Sequence, residues 1–252
     1  KDPRLQSQQL VQENADRNFN YLASYRYADD RFVRLADDEL RNVTVAPGDR
    51  YAYGTDNRAY QQQASYSGRN YVDLYTIDLR TGARKLIAKK RPGGGGLTPS
   101  PDGAKALYWG TNGHWWVLDL ATGDSVNITR GVAASFVDTE DDHNNLFPPS
   151  AGSRGWTSDG SAVLLYDNWD IWKGPGTPGS GPAVNLTGDG RKNQVRYRQL
   201  YANWTDDDGQ RPVPAVAPAQ LIVLGPAIAL LEVAADLRRG QEAVLLALRD
   251  DV

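Results

Sequence analysis

The densest set of groups able to do chemistry is the run VDTEDDHNNLFPP, Val137–Pro149. It places Asp138, Glu140, Asp141, Asp142 and His143 within a few positions of one another. Carboxylate oxygens beside an imidazole could bind a hard cation or hold a substrate amine. The run lacks the alternate acidic spacing and central glycine of an EF-hand loop, so a solvated loop is the plainer reading. Asp167 and Asp170 bracket Trp169 and form a second candidate, a carboxylate pair for glycoside hydrolysis. On a strand, residues i and i+3 point to opposite faces, which would keep the two from sharing a bond. Arg191 and Lys192 follow the Gly188-Asp189-Gly190 turn, where they could meet an acidic partner, although a solvated turn is simpler. Trp109, Trp115, Trp116, Trp156, Trp169 and Trp172 could stack a sugar or an apolar peptide. Their alternation on strands favours packing between sheets.

Several chemistries are excluded. With no cysteine in 252 residues there are neither disulfides nor thiolate metal sites. No Gly-x-Ser-x-Gly pentapeptide occurs, so the strained strand-to-helix turn that projects a nucleophilic serine is missing. The nearest look-alike, Gly152-Ser153-Arg154-Gly155, has the wrong spacing and reads as a blade loop. His114 and His143 are the two histidines, and neither follows a serine elbow. The glycine runs Gly93–Gly96 and Gly174–Gly181 lack the lysine and helix of a phosphate-binding loop. A net charge of -3 argues against nucleic acid, whose phosphates need a basic face. No apolar run reaches the roughly 18 residues of a membrane span. Catalytic residues, cofactor and metal are therefore all expected to be none.

What must position any site is a set of internal repeats. Three units recur, each with an apolar strand, a Pro/Asp/Gly turn, a Tyr-rich strand and a closing apolar strand. They run Val43–Ile87, Leu97–Thr129 and Arg154–Gly188. Pro101-Asp102-Gly103 and Ser158-Asp159-Gly160 are hairpin turns in which glycine supplies positive φ. Leu74, Thr76 and Asp78 alternate with Tyr75, Ile77 and Leu79, the period of a half-buried strand. Repeated sheets of about four strands are propeller blades. The reading is thus all-β, a partial β-propeller over residues 40–204, with a β-sandwich as the alternative.

The flanks differ. Residues 1–39 form an N-terminal segment in which Gln6–Arg26 has helical spacing with one wet face, followed by a turn at Asp29-Asp30. Residues 205–220 read as a Pro/Ala linker. Residues 221–252 form a tail expected to be helical, with Ala227–Arg239 between Pro226 and Gly240. Its apolar stripe would have to be covered, by the blades, by the N-terminal helix around Val11–Leu22 or by another copy of the chain. Four N-x-[ST] sequons stand at Asn42, Asn127, Asn185 and Asn203, two of them the strand-ending N-[IL]-T of a blade.

The run from Leu40 to Arg198 resembles the N-terminal propeller of prolyl oligopeptidase-type (S9) serine peptidases, the dipeptidyl peptidase IV and acylaminoacyl peptidase relatives. The resemblance is carried by the PSPDG turn with ALYW (Pro99–Trp109), WWVLDLATG (Trp115–Gly123) and NITRGV (Asn127–Val132). GWTSDGSAVLLYDNWDIWK (Gly155–Lys173) and AVNLTGDGRKNQVRYR (Ala183–Arg198) complete it. SPDG turns are shared by many propellers; the combination of YDNWDIW, NLTGDGR and YR is more specific. The resemblance implies a propeller that gates peptide access to an α/β-hydrolase domain carrying Ser, Asp and His, which these residues do not contain. The implied partners are a peptide substrate or that hydrolase domain. Contacts to either would fall on Glu140, Asp141, Asp142, His143 and Arg191, with neither nucleic acid nor membrane involved. A free-standing propeller serving as a binding module is the alternative. The absence of methionine fits removal of a signal peptide, a trimmed chain or an artificial sequence alike, and a periplasmic or secreted location is set slightly ahead of a cytoplasmic one.

Overall fold

The computed structural model describes residues 4–94, 96–177 and 181–197. Beyond them it gives the backbone of four short strands, at Gln199–Tyr201, Leu221–Val223, Leu231–Glu232 and Leu245–Ala247. The chain divides into two compact units, residues 1–108 with 118–125 and residues 109–117 with 126–252.

The first unit opens with helix α1, Gln6–Arg17. It stops nine residues short of the expected end because Ala23–Arg26 (β1) and Arg31–Arg34 (β2) pair as an antiparallel hairpin. Asp29 and Asp30 lie in its turn, where Asp30 takes a positive φ of 50° that Asp tolerates better than most residues. The first blade is a meander of β3 (Asn42–Val45), β4 (Tyr51–Asp56), β5 (Tyr71–Asp78) and β6 (Arg84–Pro92), all antiparallel. Between β4 and β5 the chain inserts helix α2, Gln61–Ser67, which ends on Gly68 in the left-handed region. The second sheet has the order β7 (Thr98–Pro99), β8 (Lys105–Trp109), β9 (Trp115–Asp119) and β10 (Ser125–Asn127).

Period-two burial fills two cores in this unit. Val33, Leu35 and Leu40 meet Ala52, Ile77 and Leu79 between the hairpin and the first blade. Ala46, Tyr51 and Leu74 of the first blade meet Ala106, Leu118 and Leu120 of the second. The turns of the two blades also abut. A Cβ on Gly103 would lie 1.6 Å from the Pro47 carbonyl oxygen, and one on Gly48 would lie 2.7 Å from that of Asp102. Both glycines have positive φ, so neither position admits a side chain on sterics or on backbone strain.

In the second unit the third blade is β11 (Ser153–Trp156), β12 (Ala162–Tyr166), β13 (Ile171–Pro175) and β14 (Val184–Asn185), again antiparallel neighbours in sequence order. Ser153, read from sequence as a loop residue, begins its first strand. All five residues of β12 are buried, as a strand covered on both faces must be. Helix α3, Gly190–Asn193, follows. Leu164, Tyr166, Ile171 and Tyr197 form the core of this blade.

Three successive four-stranded antiparallel meanders are propeller blades, so the fold is a mostly-β partial propeller with an N-terminal helix. The tail departs from the helical expectation where it is described. Gln199–Tyr201 (β15), Leu221–Val223 (β16), Leu231–Glu232 (β17) and Leu245–Ala247 (β18) are extended and form a sheet in the order β15-β16-β18-β17, with β16 and β18 parallel. Leu231 and Glu232 therefore belong to a strand; strand pairing has overridden the local helical spacing. The rest of Ala227–Arg239 and the linker at 205–220 lie outside the described residues.

Candidate functional site

The acidic loop is pinched at its base. Val137 bridges Ser150, and the Asp138 N–H donates to the Pro149 carbonyl at 2.9 Å. Inside it, Asp138 Oδ1 accepts the Glu140 N–H at 2.9 Å, and Asp141 Oδ1 accepts that of His143 at 2.8 Å. These are Asx turns, the local bonding that makes aspartate favour loops. Asp141, Asp142 and His143 gather with ligand atoms within 4.8 Å of one another. The backbone N–H of His143, then its ring, hold the Asp141 carboxyl below its ordinary pKa. The cluster is wet: the Asp142 and His143 side chains are 98% and 82% exposed. Its hydrogen bonds close on itself, so it is a surface loop with cation-compatible chemistry and no walls.

Glu140 points elsewhere. It forms an ion pair with Arg196, whose guanidinium lies 4.7 Å from the centre of the Trp169 ring. Arg191 lies 5.7 Å from the same ring. The structure thus brings together Glu140 and Arg191, far apart in sequence, through Arg196 and Trp169. An arginine near an aromatic face is attracted by the ring quadrupole. Arg196 carried no signal of its own in the sequence beyond its place beside the terminal YR.

Beneath this surface cluster sits a buried knot. Asp167 and Asp170 are not on a strand; they form the β12–β13 turn. Asp167 Oδ1 accepts the N–H groups of Trp169 and Asp170 at 2.9 and 2.6 Å. Asp170, 5% exposed, accepts the Thr187 hydroxyl at 2.6 Å and the Gly190 N–H at 2.9 Å. The Tyr197 N–H donates to the Trp169 carbonyl at 3.0 Å, and its hydroxyl donates to Asp189 at 2.5 Å. Burial, then that bond to Asp189, pushes the Tyr197 phenol well above its ordinary pKa. Both carboxylates are buried and held by local donors, Asp167 by its own turn and Asp170 by Thr187 and Gly190. The turn arises because Asx bonding at Asp167 outcompetes strand continuation.

The tryptophans are covered to differing degrees, and the Trp109–Trp115 contact lies within one sheet. Trp115 is 7% exposed and meets Trp109 edge-on, with centroids 5.1 Å apart. Trp156 and Trp172 are half-buried, and Trp172 meets Phe136 at 5.6 Å. Asn127 and Asn185 act as caps, accepting the N–H groups of Thr129 and Thr187.

A second place was not legible in the sequence. In the first unit a cleft of about 840 Å³ opens between α1, α2 and the first blade. Its arginines are paired: Arg4 with Asp16 at 2.8 Å, Arg41 with Asp38 at 3.0 Å, and Arg58 with Asp56 at 2.8 Å. Burial works against the Asp56 carboxylate, but the hydrogen bonds from the Arg58 side chain and backbone outweigh it and lower its pKa. The hydroxyl of Tyr60 donates to Asp73 at 2.6 Å. The one hint in the sequence was the polar insertion DNRAYQQQASYSGRNY between two regular strands.

No protein-family model and no curated protein matches the chain. Solved structures resemble it in part. A protein described as a TolB from Agrobacterium tumefaciens shares 14% identity over 62% of this chain and 51% of that one, with a TM-score of 0.34. An oligogalacturonate lyase in complex with manganese shares 16% over 67% and 48%, at 0.41. An oligogalacturonate lyase from Vibrio parahaemolyticus shares 14% over 79% and 68%, at 0.29. The chain spans about half the length of the first two. Scores this low leave the blade assignment resting on strand order. Among the described residues no helix is long and apolar enough to cross a membrane.

Proposed function

We propose that this chain is the non-catalytic propeller portion of an S9 prolyl oligopeptidase-type serine peptidase, a gate and scaffold beside a hydrolase domain that these residues do not include. One observation carries the reading. Residues of the three segments whose combination is most specific for the resemblance, YDNWDIW, NLTGDGR and the tyrosine of YR, meet in one hydrogen-bonded knot around Asp170. They come from the β12–β13 turn, the end of β14 and the residues after α3, consecutive parts of one blade. The knot also presents Glu140, Arg196, Trp169 and Arg191 at the surface, where a peptide or the hydrolase domain can meet them. A periplasmic or secreted location goes with this reading. On this reading the serine chemistry belongs to the hydrolase domain, consistent with there being no Gly-x-Ser-x-Gly in these residues.

The test is the complete reading frame together with fluorophosphonate labelling. The reading requires a Gly-x-Ser-x-Gly after these residues, a labelled full product and an unlabelled 252-residue chain. A frame without that pentapeptide overturns it in favour of a free-standing binding propeller, the second reading, which the cleft of the first unit supports.

A further inference from the structure

We propose that the cleft under α1 binds a short neutral oligosaccharide. The volume, about 840 Å³, is that of a small-ligand site rather than a packing defect. Its three arginines are already engaged, Arg4 by Asp16, Arg41 by Asp38 and Arg58 by Asp56, and Glu39 adds a fourth carboxylate to the lining. An anionic ligand would have to displace an aspartate from an arginine and then face the surplus carboxylate. The surface cannot take a phosphate or an acidic peptide on those terms.

A peptide fits poorly for another reason. Strand addition needs a length of free edge, and of edge strand β3 only Asn42 reaches the cleft. A helix would need an apolar groove, and this lining is polar.

What the cleft offers is uncharged hydrogen bonding beside rings. Gln8, Gln12 and Asn70 supply amides, each both donor and acceptor, as vicinal hydroxyls require. Tyr60 and Tyr71 lie edge to face, 6.1 Å apart, at its wall. Tyr71 is the independent pointer to a ligand. Its residue is 7% exposed, and among the described residues nothing hydrogen-bonds its hydroxyl. That oxygen is not sealed in the interior either, since among the described residues the sealed unpartnered polar atoms are the indole nitrogens of Trp115 and Trp172. Tyr71 lines the cleft, and a hydroxyl with no partner among the described residues is a donor that a ligand there can use.

Helix α1 gives the site a cover. Gln8, Gln12 and Asp16 recur every fourth residue, so they share the face that looks into the cleft. The helix buries no residue; it meets α2 through Ser65 on Gln8 at 3.3 Å and the residue before β3 through Arg41 on Asp16 at 3.7 Å. Leu10 and Val11, 73% and 84% exposed, face away. A ligand bonded to both Gln12 and Tyr71 would therefore clamp a helix that is otherwise weakly held.

The experiment passes the whole 252-residue chain over an array of neutral, uronate, sulfated and amino-bearing glycans, then measures the best binder in solution. Retention of neutral glycans is expected. Tyr71→Phe, which keeps the buried ring, and Asn70→Ala, at an exposed position, should each weaken that binding about three- to tenfold. The bound glycan should also slow tryptic cleavage after Arg17, a signature of α1 held in place. Retention of charged glycans alone, retention of none, or an affinity unchanged in both variants overturns the proposal.

Discussion

Replacing Asp170 with Ala should destabilise the third blade more than its place in a turn suggests. The side chain is 5% exposed, and its Oδ1 receives both the Thr187 hydroxyl and the Gly190 N–H. Hydrogen bonds to a charged group contribute about 1.5–3 kcal/mol each, and the donors left behind are themselves buried or half-buried. Thr187 can turn partly to Asn185, 3.5 Å away, which recovers some of the loss. The expected cost is about 3–4 kcal/mol. Asp170→Asn keeps an acceptor at the same point and should cost about half as much. Asp142→Ala, at a side chain 98% exposed, is the control and should stay within about 0.5 kcal/mol. Urea unfolding followed by tryptophan fluorescence reads the difference. With a slope of about 2–3 kcal/mol per molar, the Ala variant should unfold about 1 M earlier. An Ala variant within 0.5 kcal/mol of the parent would refute the account of the knot. So would an Asn variant as unstable as the Ala one, since volume rather than bonding would then be at stake.

Other outcomes follow from the same structure. Gly103→Ala should lose about 2–4 kcal/mol in the same unfolding assay, because its methyl would overlap the Pro47 carbonyl at a positive φ. Gly190→Ala, whose Cβ would stand 2.7 Å from the Val195 carbonyl, should lose about 1–3 kcal/mol. The Thr157 hydroxyl, then the Ser161 N–H, hold the Asp159 carboxyl at about 2. That contribution to stability is complete above the ordinary carboxyl value and is lost as pH falls through about 2. Asp159→Asn should therefore flatten the fall in stability between pH 4 and 2, measured by thermal melts at each pH. The purified chain should neither cleave prolyl or aminoacyl chromogenic amides nor take a fluorophosphonate label; a labelled serine would expose a nucleophile outside the elbow pattern.

The blades were legible because their chemistry is local. Expected starts at Val43, Leu97 and Arg154 lie one residue from the observed strands at Asn42, Thr98 and Ser153. The Asp-Leu-x-Thr-Gly turns also have a local cause: Asp78 and Asp119 each accept two backbone N–H groups just ahead of the glycine. Where tertiary pairing decides, the sequence was a poor guide. The apolar spacing through Leu22 and Tyr25 looked helical, but β1 finds a partner in β2 and is strand. Leu231 and Glu232 went the same way. The candidate sites divided along the same line: the wet acidic loop was read directly from its residues, whereas the pairing of Glu140 with Arg196 depends on how blade and loop fold together. The cleft was hidden because its walls come from Arg4 to Tyr71, and none of those residues is distinctive alone.

The meeting of Gly48 with Asp102 and of Gly103 with Pro47 bears on whether blades are interchangeable parts. A Pro/Asp/Gly turn is usually treated as private to its own hairpin, free to travel with it into a chimera. In this chain each glycine is also the socket for its neighbour's backbone. A recombined propeller must carry the turns over in matched pairs, and a library that shuffles single blades will succeed only where both sockets remain glycine.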